Sequence, residues 1–313
     1  MIIPCPEDLR QVQRFPLTMT LVALNVFIFL LIFSGTRPDI SDSRLFEMDG
    51  LTLTGKLFYQ YLQDLPPETL AESPEWLQQM KSTNSEHMVV LGAYALRDSR
   101  FLKDGELRDY RGDQVKIRGW KEDFVKFRAE YKEQLMFRFG LSSSMKGPLA
   151  WLTYQFSHSN WLHLFSNLMF LVVMGAAVEA LAGSSVMLMV YLLGGVAGGL
   201  GFLWSQGPGT VPMVGASASV SALLAFYCVA EFKARVRYLY FVSPMPEHYG
   251  YIYLPTLMII PLFLLVDLAN FWATPEGLGS GVAYAAHLGG SLFGILGGLV
   301  YRHAALARPN SLT

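Results

Sequence analysis

The sequence predicts an all-α polytopic membrane protein, with six transmembrane helices and a large extracytoplasmic insert between the first and the second. Three observations predict it. Hydrophobic residues make up 52% of the 313 residues and charged residues only 16%, a greasier balance than soluble domains carry. Six apolar runs approach or exceed the roughly 20 residues that a helix needs to cross a bilayer core. The charges are segregated: residues 36–147 hold 18 of the 25 Asp/Glu and 17 of the 24 Lys/Arg. The rest of the chain is therefore almost uncharged.

The runs are 16–34, 160–182, 185–204, 213–231, 251–273 and 281–303. The first follows Arg10 and Arg14. Its apolar core is too long for a signal-peptide core and no clear small-x-small site follows it, so it reads as a retained anchor. The second and third are separated only by "GSS", which makes them a tight helical hairpin. The third contains "GGVAGGLG", Gly194 to Gly201, small residues that let helix backbones approach closely in lipid. The fourth is the least apolar and starts beside three serines.

Short loops set the orientation. One set carries Arg10 and Arg14, then Lys233, Arg235 and Arg237, then Arg302 and Arg308; the opposite set, 205–212 and 274–280, carries no Lys or Arg. The positive-inside rule then puts both termini in the cytoplasm. Residues 1–15 become a short cytoplasmic N-terminus and 304–313 a cytoplasmic tail. The location expected is integral and multi-pass, in a bacterial plasma membrane. The insert, 36–147, falls outside, since long segments translocate largely regardless of their charge.

The insert is too long and too mixed to be a simple connector. "PPETLAESPEWLQQM" reads as a short helix. In "GWKEDFVKFRAEYKEQLMFRFG", Phe124, Phe127, Tyr131 and Leu135 recur at three- to four-residue steps. That spacing predicts an amphipathic helix covering a small core or lying on the membrane surface. A small subdomain partly resting on the bilayer is expected. It holds no metal-ligand spacing and no phosphate loop, so no cofactor is expected. A net charge of −1 without a basic stripe excludes a nucleic-acid partner. Two cysteines, Cys5 and Cys228, make no disulfide framework.

Polar groups inside a membrane are expensive and read first as functional. Ten stand out: His158, His163, Asn167, Glu179, Ser217, Ser219, Ser221, Asp267, Asn270 and His287. His163 and Asn167 in "HLFSN" are four apart, about 40° from each other on a helix, so two donors share one face. His158 sits at the entry to the second span, where Ser157, Ser159 or Asn160 can cap the helix. By topology Ser217, His163, Asn167 and His287 converge at one depth, near the outer ends of their spans. That set supplies a nucleophile, a base to activate it and oxyanion donors. Ser219 and Ser221 read as packing residues or as hydroxyls bonded back to their own helix. Asp267 and Asn270 lie three apart on one face; Asp267 reads as a buried aspartate, neutral or paired, rather than a proton relay. A metal site from His158, His163 and His287 is disfavoured by the five-residue gap and the lack of a carboxylate.

These motifs resemble the rhomboid intramembrane serine proteases. The resemblance rests on "H-x4-H-x3-N" at His158, His163 and Asn167, "GAAVE" ending at Glu179, "GAS" from Gly215 to Ser217, and "AHLGGSLFG" containing His287, Gly290 and Gly294. It covers most of 155–303. It implies a six-helix core, a Ser217–His287 dyad, and an oxyanion site from His163, Asn167 and the Ser217 amide, with His158 and Gly215 nearby. It further implies a structural role for Glu179, helix packing through Gly290 and Gly294, and substrates that are transmembrane segments of membrane proteins. Two positions depart from the pattern. Ala218 replaces a glycine and adds a methyl where helices meet. Ser221 replaces an aromatic ring that stacks on the histidine, so the base is held less firmly or is bonded by Ser221 instead. A rhomboid-like protein that binds membrane segments without cutting them is one rival. A small-molecule transporter is another, weakened by the lack of an internal repeat.

Overall fold

The computed structural model describes residues 2–4, 15–35, 43–71, 73, 75–78, 84–133, 139–142, 147–205, 212–233, 235–241, 248–273 and 283–307. Cys5, Arg10, Arg14, Leu135, Arg308 and the 274–280 loop lie outside them. After a short strand β1 (Ile2–Pro4), the first apolar run forms α1 (Pro16–Gly35). Pro16 suits a first turn, where its missing N–H has no partner to lose.

The insert folds around its own core, as α2 (Met48–Gln63), α3 (Pro67–Ala71), α4 (Glu75–Gln78), α5 (Ser85–Ala95), α6 (Ser99–Asp104) and α7 (Gln114–Glu133). The region read as one short helix is two, with Pro74 between them in sequence, unable to donate a helical hydrogen bond. The amphipathic helix is present as α7. It buries Trp120, Phe124 and Phe127 against Phe58 and Phe101, so its apolar face covers a core. Asp98 ties three segments together. Its carboxylate caps α6 by accepting from the Arg100 and Phe101 amides at 2.9 and 3.0 Å, and it pairs with the Arg100 guanidinium at 2.9 Å. Arg100 in turn donates to Thr69 O and Ser73 Oγ. Burial works against the charge on Arg100, but the Asp98 hydrogen bond and charge outweigh it and its pKa is raised.

The remaining chain builds the apolar body: α8 (Ala150–Thr153), a 3-10 turn (Tyr154–Phe156), α9 (Trp161–Ala182), α10 (Ser184–Ser205), α11 (Ser217–Ala230), β2 (Arg235–Phe241), β3 (Tyr249–Pro255), α12 (Thr256–Ala273) and α13 (Tyr284–Leu306). Of these, α9, α10 and α13 are long and apolar enough to cross a membrane. The apolar stretches of α1, α11 and α12 are shorter. The 14 residues of α11 rise only about 21 Å at 1.5 Å per residue.

The described residues are mostly helical, consistent with an all-α fold, and the bounds of two runs need correction. A small antiparallel sheet stands beside the helices, with β1, β2 and β3 in that order, Ile3 opposite Leu239 and Leu239 opposite Tyr251. The fifth apolar run therefore begins as a strand, and helix starts only at Thr256. "YGYIYLP" is rich in aromatic and β-branched residues that favour a pleated ladder, and a short apolar run does not reveal its period. Likewise 213–216 precede α11 as extended chain and turn. The sheet joins the N-terminus to the α11–α12 connection, so those segments share one end of the body.

Close helix contacts hold the body together. Gly290, Gly294 and Gly298 of α13 lie on the carbonyls of Ala218, Ala222 and Phe226 of α11; a Cβ on each glycine would come within 2.2, 2.2 and 2.7 Å of those oxygens. The four-residue step on both helices means that they run parallel and in register. On another face of α11, α10 packs antiparallel, again through glycines: a Cβ at Gly198 would meet the Ala218 Cβ at 2.4 Å, and one at Gly194 the Ala222 Cβ at 2.2 Å.

Candidate active site

The register of α11 and α13 puts Ser217 and His287 within one helical turn of each other along the paired axes, at the same end of the two helices. Ser217 is the residue before Ala218 and opens α11; His287 lies one turn before Gly290. Both are partly exposed, at the end of the body away from the sheet. Among the described residues no hydrogen bond joins Ser217 Oγ to His287.

The segment leading to Ser217 is pinned by three backbone hydrogen bonds to two partners. Met213 exchanges two backbone hydrogen bonds with Leu141, at 3.0 and 2.7 Å, and the Gly215 amide donates to Tyr154 O at 2.9 Å. Gly215 has φ +118°, a region that side chains disfavour. A Cβ there would also come within 2.7 Å of His163 Nε2 and 3.8 Å of Asn167 Nδ2. The missing side chain thus lets the loop pass directly over the His163–Asn167 face.

That face is fixed by the start of α9. Asn160 caps the helix, accepting from the His163 amide at 2.9 Å. Ser159 Oγ lies 3.1 Å from His163 Nδ1. Asn167 donates one amide hydrogen to His163 O at 2.9 Å, leaving its second N–H. His158 is 2% exposed, and its ring stands edge-on to His163 at 5.2 Å.

Three other polar positions resolve into packing partners. Ser219 is fully buried and donates to Gln155 Oε1 at 3.0 Å, rather than back to its own helix. Gln155 fits because Gly195 opposite it lacks a side chain. Asn270 is back-bonded to Val266 O at 2.7 Å. Glu179 receives Leu17 N, Thr18 N, Thr18 Oγ1 and Ser184 Oγ at 3.1, 2.9, 2.7 and 2.7 Å. It therefore caps α1 with an anion where the helix dipole favours one and ties α1 to the α9–α10 hairpin. Gly290 and Gly294 occupy the contact described above.

Two features escaped the sequence. Asp267 of α12 reaches His287, with Oδ1 3.2 Å from Nδ1, and Tyr284 sets its ring edge-on to the imidazole at 6.3 Å. Tyr284 is one helical turn before His287, a spacing that could have exposed it. No spacing links Asp267 to its partner. Ser221 makes no hydrogen bond to His287 among the described residues. Nor does any group of three or more His, Cys, Asp or Glu there form a metal site.

Apolar helices with polar side chains gathered at one end define an integral membrane protein. The Rhomboid domain matches residues 147–304, just over half of the chain, and the chain belongs to the rhomboid family. It is similar to Rhomboid protein 1, mitochondrial, of Saccharomyces cerevisiae, with 28% identity over 145 residues, 46% of this chain. The match spans 39% of that relative's length. The domain match begins where the charged insert ends.

Proposed function

We propose that the protein is an intramembrane serine endopeptidase that cuts transmembrane segments of other membrane proteins. One observation supports this reading: the glycine ladder of α13 on α11, two abutting parallel helices that carry Ser217 and His287 toward the same end. Ser217 Oγ attacks the scissile carbonyl while His287 takes its proton and delivers it to the leaving amine. Water then releases the acyl chain by the same route in reverse. The oxyanion is met by the Ser217 amide, the second Asn167 N–H and His163 Nε2–H. The last assignment needs the tautomer in which the Ser159 hydroxyl donates to Nδ1, 3.1 Å away, and Nε2 carries the proton. The substrate segment has to unwind locally, since a helix hides its carbonyls in hydrogen bonds.

In this reading α1 and α9–α13 are six spans, with α11 reached through a loop dipping from the outer surface, both termini cytoplasmic and the insert, 36–147, an outer subdomain. The yeast relative is mitochondrial by name, so the expectation of a bacterial plasma membrane gains no support. The test is cleavage of a reconstituted transmembrane substrate carrying small residues near its outer end. Ser217→Ala and His287→Ala should each abolish cleavage. Cleavage that survives Ser217→Ala would overturn the assignment. A second reading, a rhomboid protein that binds such segments without cutting them, is favoured by the missing Ser217–His287 hydrogen bond. It predicts substrate capture with no cleavage by the unmutated chain.

A further inference from the structure

We infer that Asp267 is a positioning residue for His287, extending the serine–histidine pair to a third member supplied by α12. The inference rests on the proteolytic reading for its catalytic consequence, and on geometry alone for its structural part.

Asp267 lies on α12 and His287 on α13, so their contact joins two helices. The carboxylate oxygen is 3.2 Å from Nδ1, with the two side chains 11% and 17% exposed. Asp267 as a residue is 8% exposed. An ionised carboxylate only accepts hydrogen bonds, so with Asp267 ionised Nδ1 carries the proton and donates it across this contact. Nε2 is then left with its lone pair, the form a general base needs toward a serine hydroxyl. As the imidazole takes the serine proton, the adjacent, mostly buried carboxylate opposes the new positive charge. Tyr284 holds the ring from another side, edge-on. Together these contacts restrain the histidine that neither Ser221 nor an aromatic ring at 221 restrains. Within the apolar stretch of α12, Met258–Trp272, Asp267 is the sole acidic residue, and its partner gives the cost of burying it a purpose.

The test compares the full-length protein with Asp267→Asn, which keeps the shape and removes the charge. Histidine labelled with 15N reports the tautomer, with His287→Gln used to assign the signal. The unmutated chain should show His287 protonated at Nδ1, with a downfield N–H proton that Asp267→Asn removes. In cleavage assays Asp267→Asn should lower kcat by roughly 100-fold or more, as loss of the tautomer-fixing acceptor does in serine hydrolases. KM should stay within about twofold and the melting temperature should hardly move. If the unmutated chain cleaves and Asp267→Asn keeps its kcat, the inference fails while the proteolytic reading stands. If the unmutated chain does not cleave, that reading fails and the spectra decide: a His287 signal indifferent to Asp267→Asn overturns the positioning role, and loss of the Nδ1 proton upholds it.

Discussion

The backbone oxygen of Ala218 lies 2.2 Å from the point a Cβ on Gly290 would occupy. No side chain fits there without moving α11 away from α13. Gly290→Ala should therefore separate Ser217 from His287, with an overpacking cost of about 1–3 kcal/mol. The expected result is a lower melting temperature in detergent and a large loss of kcat. Unchanged melting and activity would show that the two helices are not held in this register.

Ala218 itself turns its methyl toward α10, where Gly198 leaves room for it. The methyl that departs from the family pattern is accommodated by a glycine across the interface and does not intrude on α13. Ala218→Gly should leave cleavage within a few-fold. It should cost about 1 kcal/mol in stability, since glycine is the poorer helix former and a buried methyl is lost. Activity abolished by Ala218→Gly would contradict this packing.

Glu179 anchors α1 through two backbone amides and a threonine hydroxyl. Glu179→Gln turns part of that acceptor into a donor facing donors. A loss of about 1.5–3 kcal/mol is expected for each charged hydrogen bond removed. Thermal unfolding should fall steeply, and hydrogen exchange should rise first in residues 16–25. Equal exchange in both proteins would show that α1 is held by its apolar contacts alone.

In the insert, Asp98→Ala removes the α6 cap and strands the Arg100 guanidinium. A loss of about 2–4 kcal/mol is expected from the cap and the broken pair together. Hydrogen exchange should accelerate in 99–104 while α9 and α10 keep their protection. Protection retained in 99–104 would mean that the aromatic core carries the insert without this hub.

How much of this was legible depended on the kind of interaction. Polar residues inside apolar runs are conspicuous, so Ser217, His287, His163, Asn167 and Glu179 could be singled out. Glycines at four-residue steps announce a close helix contact, though not the carbonyls they face. The Asp267–His287 contact links helices whose relative rotation no local pattern encodes, so only the aspartate's oddness was visible. Gln155, which takes the Ser219 hydroxyl, sits in a short connecting turn where a glutamine attracts no notice. Most of the strand Tyr249–Pro255 reads as the start of the 251–273 span, because apolar aromatic residues serve a sheet and a bilayer equally well. The aromatic steps of α7 were readable as an amphipathic helix, but whether they faced a core or a membrane was not.

The most direct test of the central claim is covalent labelling with a fluorophosphonate in detergent, with the adduct located by peptide mass spectrometry. The account predicts one adduct on Ser217, lost in both Ser217→Ala and His287→Ala. An adduct on Ser219 or Ser221, or labelling that persists without His287, would contradict it.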